Sequence, residues 1–115
     1  MRASATVLAA LLTASCTSQD RECSFLERGY ARLTEDLARL PSVQVPKSAR
    51  RTVERCYSKH PYLDYHGPFE FVGAKRSTTE NVYLVYRPVG ITDVQLVFEL
   101  GEGSQPLNAF QRSTL

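Results

Sequence analysis

The chain has 115 residues, 43% of them hydrophobic and 23% charged, with a formal net charge of +2. Such a composition belongs to one small globular domain and excludes a disordered polymer. A balance this near neutral gives no case for nucleic acid as a partner, and three cysteines are an odd number that the rest of the sequence must account for.

In chain order, Arg2 supplies a positive start, Ala5 to Leu12 is a short apolar run, and Thr13-Ala14-Ser15 is a small-residue exit that stops at Cys16. This is the build of a secretory signal peptide. The run is too short to cross a hydrocarbon core of about 30 Å, which takes roughly 20 apolar residues. The stretch Leu11-Leu12-Thr13-Ala14-Ser15-Cys16 resembles the end of a bacterial lipoprotein precursor's signal, where a small residue directly precedes a lipid-modified cysteine. Ala14, Ser15 and Cys16 carry the resemblance, which covers the signal alone; Thr13 stands where the family usually has leucine. It implies a signal peptide over 1–15, lipid attachment at Cys16, and a membrane anchor at the periplasmic face of the cell envelope, with the outer membrane expected. If lipid takes up the sulfur of Cys16, Cys23 and Cys56 remain to pair in an oxidising compartment. Removal of Cys16 with an ordinary signal leaves the same pair.

Residues 16–23 read as the lipid-attachment cysteine and a short tether, and 24–115 as a single α+β domain. Ser24-Phe25-Leu26-Glu27 has the form of a capping box. Leu26, Tyr30, Leu33, Leu37 and Leu40 follow at spacings of four, three, four and three, which predicts one apolar helix face ending before Pro41. Gly29 inside that helix weakens its first turn. A second helix is predicted from about Lys47 to Tyr57, with Ala49, Val53, Cys56 and Tyr57 inward. Its outer side, Lys47, Arg50, Arg51 and Arg55, is the only local cluster of positive charge, interrupted by Glu54. It reads first as a solvated face and second as a contact for an acidic partner or membrane surface. Two helices joined by a short connector pack antiparallel, which brings Cys23 near Cys56.

Beyond His60-Pro61 the apolar period changes to two. Pro68 to Val72 predicts a strand, with Gly73 marking a bulge or weak point. Lys75 to Asn81 is expected as a hairpin loop. Val82, Leu84 and Tyr86 share one face of the next strand, and Pro88 to Asp93 turns the chain. Val94, Leu96, Phe98 and Leu100 alternate with Gln95, Val97 and Glu99 as a half-buried strand. Pro106 to Phe110 is expected as one helical turn, with a loose end after it. The predicted fold is α+β, a two-helix hairpin followed by a three-stranded antiparallel β-meander.

His60, Asp64 and His66, with Tyr62, Tyr65 and Glu70 nearby, form the one cluster with ligand chemistry for zinc or another divalent metal. Its spacing matches no standard motif, so an ordinary surface is the plainer reading. Ser77, Thr78 and Thr79 lack a nucleophile's frame, and Glu99 and Glu102 lack an apolar pocket to separate their acidities. Tyr62, Tyr65, Tyr83 and Tyr86 crowd one half of the chain, and tyrosine is enriched at protein interfaces, although Tyr86 suits the core. The expectation is a lipid-anchored envelope protein that binds another protein as an inhibitor, immunity factor or assembly accessory, with no enzymatic activity and no cofactor. A metal-binding protein or enzyme built on His60, Asp64 and His66 is the first alternative. A structural envelope lipoprotein is the other.

Overall fold

The computed structural model describes residues 22–59 and 67–114. Within them, β2 (Phe69–Arg76), β3 (Val82–Pro88) and β4 (Val94–Leu100) pair as an antiparallel meander. The sheet does not stop there. β5 (Pro106–Ser113) adds antiparallel to β4, and β1 (Ala31–Arg32) adds parallel to β5, giving the order β1-β5-β4-β3-β2. Among the described residues the helical elements are a four-residue turn, α1 (Ser24–Glu27), and one long helix, α2 (Lys47–Lys59), with 3-10 turns at Leu37–Arg39 and Glu102–Ser104. The chain is therefore α+β, but the expected two-helix hairpin followed by a three-stranded meander is overturned by a five-stranded mixed sheet with one long helix.

The error lies in the stripe Leu26, Tyr30, Leu33, Leu37, Leu40. Its spacing is helical, yet its members serve two cores. Leu26 is buried among Phe25, Leu84 and Phe98, and the Tyr30 ring meets Phe98 edge-on at 6.2 Å, on one sheet face. Leu33, Leu37 and Leu40 pack against Tyr83, Val85 and Val97 on the other. No single helix reaches both sides of a sheet. Gly29 makes the break, at φ +79, a left-handed conformation that a side chain disfavours. The chain then passes the sheet edge as β1. The capping box also fails: the N-cap is Cys23, with no side-chain cap bond, and Ser24 is already helical.

Elsewhere the period held. Val82, Leu84 and Tyr86 face one way, and Leu96, Phe98 and Leu100 lie with them against Val53, Cys56 and Tyr57 of α2. A bulge falls between Phe71 and Gly73, which lets Phe71 and Ala74, three apart, point to the same face. β4 is not half-buried, however. Val97 is fully buried and Glu99 only 9% exposed, because the second face is covered too. The expected helical turn at Pro106 and loose C-terminus are replaced by β5, whose Ala109 and Phe110 face opposite cores.

What covers the second face is the segment between the two cysteines. After β1, Leu33 donates its N–H to Gln111 O, and Leu33, Leu37 and Leu40 cross the sheet. At the far edge Arg76 N–H donates to Pro41 O, Ser42 bridges Lys75, and Val43 N–H donates to Ala74 O. Val43 and Val45 then return to the first face and lead into α2. The Cys23 and Cys56 sulfurs stand at disulfide distance, 2.08 Å, with Cα atoms 5.2 Å apart and a sequence separation of 33. The chain from Cys23 to Cys56 is thus a closed belt around β2, β3, β4 and β5, touching both faces and both edges.

Candidate functional site

Cys16, the signal segment 1–15, and the cluster of His60, Asp64 and His66 with Tyr62 and Tyr65 lie outside the described residues. Cys23 and Cys56 come together as expected, both buried in the first core; Cys23 belongs to the packed domain rather than to a tether. Among the described residues no group of three or more His, Cys, Asp or Glu is placed to hold a metal ion. None of the helices there is long and apolar enough to cross a membrane.

The basic outer side of α2 is partly neutralised. Arg55 pairs with Glu22, and Arg50 pairs with Glu54 at 3.3 Å while its guanidinium lies 4.1 Å above the Phe71 ring. Glu54 in turn accepts from the Tyr86 hydroxyl at 2.6 Å. Lys47, Arg51 and Lys59 remain exposed on that helix. The tyrosine lead fails at Tyr83, which is buried, while Tyr86 is in the core as its position suggested. Tyr86 packs edge-on to Phe98 and Phe71.

The second sheet face carries the more informative arrangement, in three cross-strand rows. At one end Tyr83, Glu99 and Asn108 lie side by side. Asn81 and Asn108 donate their side-chain amides to the two Glu99 oxygens at 2.8 Å each. The Tyr83 hydroxyl donates to Glu35, which also accepts from Thr78 N–H and Oγ1. The bonds from Thr78 and then Tyr83 hold the Glu35 carboxyl below its ordinary acidity range. Burial, and next the Glu35 bond, push the Tyr83 phenol well up. The middle row, Val85, Val97 and Phe110, is apolar and covered by the belt. The third row includes Gln95 paired with Arg112.

Between the middle and third rows the cover is incomplete. A half-open groove of about 580 Å³ runs there, with Gly73, Val85, Gln95 and Arg112 contributing from the four strands. Leu37 and Ala38 of the belt form its wall, and residues 42–45 close one end. Val72, in the bulge, is 51% exposed beside it. A volume of this size lies within the range of small-molecule sites. The lining holds two cations, Lys75 and Arg112, and no carboxylate. Lys75 Nζ donates to Leu40 O at 3.3 Å. Arg112 has neither an ion pair nor a hydrogen bond from its guanidinium among the described residues.

None of the residues lining the groove was singled out from sequence as a site. Gln95 and Arg112 were legible only as polar positions, because β5 was not expected and the pairing of Gln95 with Arg112 depends on it. Ala109 and Phe110, adjacent in sequence, face opposite cores, and Phe110 shares its face with the charged Arg112, so β5 shows no period of two. No protein-family model matches the chain, and comparison with curated proteins and with solved structures likewise finds no match.

Proposed function

We propose that this chain is a small exported binding protein, anchored by lipid on Cys16 at the periplasmic face of the cell envelope, which engages another protein. The observation that carries the reading is the buried Cys23–Cys56 pair at disulfide distance. Such pairs persist in oxidising compartments, which agrees with a signal-like start ending at Ala14-Ser15-Cys16. The reading assigns no catalysis. Ser77 and Thr79 bond to each other and Thr78 bonds to Glu35, so these hydroxyls serve the loop and the belt.

In this reading the partner docks away from the sheet edges. β5 is covered by β1, and the outer edge of β2 is paired at Lys75 with Ser42, so strand addition is obstructed at both edges. The exposed side of α2, with Lys47, Arg51 and Lys59, is left as the face for an acidic partner surface. Intact mass spectrometry of protein taken from the envelope tests the anchor: a chain starting at Cys16 with added acyl mass is expected, and a start at Thr17 or later overturns it. Pull-down from envelope extract tests the partner. Arg51→Glu is expected to lose the captured protein, and capture unchanged by that reversal of charge removes α2 from the interface.

A further inference from the structure

We propose that the groove on the second sheet face is a binding site for an amphipathic carboxylate, an acid group on an unbranched apolar chain. This is independent of export, of the anchor and of any protein partner on α2. Three observations carry it. The groove is charged in one sense only, with Lys75 and Arg112 in its lining and no acidic side chain. Arg112 has an open guanidinium, and the carboxylate in the adjoining hollow, Glu35, already has both oxygens engaged by Thr78 and Tyr83. A guanidinium binds a carboxylate through paired N–H donors, and more strongly beside apolar walls than in open water.

The third observation is shape. The lining positions Gly73, Val85, Gln95 and Arg112 sit on four successive strands, so the groove crosses the sheet obliquely over about 14 Å, three strand spacings. Of its two cations, Arg112 lies at the β5 end with its guanidinium open, while Lys75, on β2, already donates to Leu40 O; between them the groove presents Val85, Leu37 and the exposed Val72. A straight acyl chain with its acid group on Arg112 fits that polarity. A peptide fits less well, since each of its residues brings an N–H and a C=O that require partners. The strand backbones under the groove already bond to each other, leaving Gln95 as the one amide side chain on the floor.

Isothermal titration of the full mature protein with dodecanoate, kept below its micellar concentration, tests the proposal. Dodecan-1-ol and an acetylated Val-Leu-Val-Leu peptide with a free C-terminus serve as comparisons. Dodecanoate is expected to saturate one site per chain, with the alcohol and the peptide each weaker by about ten-fold or more. Arg112→Gln is expected to weaken dodecanoate to a similar degree while leaving the alcohol unchanged. Val72→Glu, at an exposed position, is expected to weaken dodecanoate too, and it keeps the test decisive if Arg112→Gln lowers the melting temperature. Absence of saturable binding, equal affinity for acid and alcohol, or tighter binding of the peptide overturns the proposal. So does dodecanoate affinity that neither variant changes.

Discussion

Tyr83 and Tyr86 lie on the same strand and tie the two covers of the sheet to it. Tyr83 donates to Glu35 of the belt on one face, and Tyr86 donates to Glu54 of α2 on the other. Burial first, and the neighbouring carboxylate second, raise both phenols above their ordinary value of 10.0. Above that pH the unfolded chain releases these protons while the folded chain keeps them, so stability falls as pH rises beyond about 10. Alkaline melting curves are expected to show that fall, and Tyr86→Phe to flatten it. Phenolate absorbance from Tyr86 appearing near pH 10 in folded protein would contradict the account. Glu99 gives a second test at this scale. Its two oxygens depend on Asn81 and Asn108, and loss of one donor strands part of a buried carboxylate. Asn108→Ala is expected to cost about 1–3 kcal/mol in urea denaturation.

At the scale of elements, the belt and β4 make opposite demands on sequence reading. β4 announces itself because Leu96, Phe98 and Leu100 alternate towards one core. Leu96→Asp is expected to abolish folding by burying an unpaired charge, and Gln95→Asp to leave the fold intact, as read by circular dichroism. α2 was legible for the same reason, β2 as far as its bulge, and β3 because Val82, Leu84 and Tyr86 keep a period of two although Tyr83 and Val85 fill the second core. The belt does not. Its leucines reach the second face only through a turn at Gly29, an edge pairing at Ala31–Arg32 and a 3-10 turn capped by Asp36, whose carboxylate accepts from Ala38 N–H. Each is a tertiary or single-residue event that leaves the helical spacing untouched. β5 stayed hidden because Ala109 and Phe110, adjacent in sequence, serve opposite cores while polar Asn108, Gln111 and Arg112 stand beside them, so no period of two appears. The groove went with it, since Arg112 enters its lining only once β5 is paired. Leu37, 4% exposed, anchors the belt; Leu37→Ala is expected to lose about 2–5 kcal/mol, measured by chemical denaturation. A cost below 1 kcal/mol would mean that the second core contributes little.

For the whole molecule, the Cys23–Cys56 pair joins the two ends of that belt. By the chain-entropy model a link across a loop of this length contributes about 3–4 kcal/mol, and Cys56→Ser is expected to lower the melting temperature by more than about 10 °C. Thiol labelling of non-reduced protein is expected to find neither sulfur reactive. The encirclement also imposes an order in time. While the bond is open, the sheet can assemble and the segment 23–56 can wrap it afterwards. If the bond is already made in the denatured chain, the strands from Phe69 to Ser113 must be drawn through a closed loop before they pair, and native chains seldom thread loops. Refolding from denaturant with the bond intact is therefore expected to be slower than refolding of the Cys23→Ser/Cys56→Ser chain, although a cross-link is usually thought to assist by shortening the search. Stopped-flow fluorescence of the two forms decides it, and equal or faster refolding of the bonded form would refute it. On this ordering, oxidation seals the native state after it has formed and hinders it when it comes first.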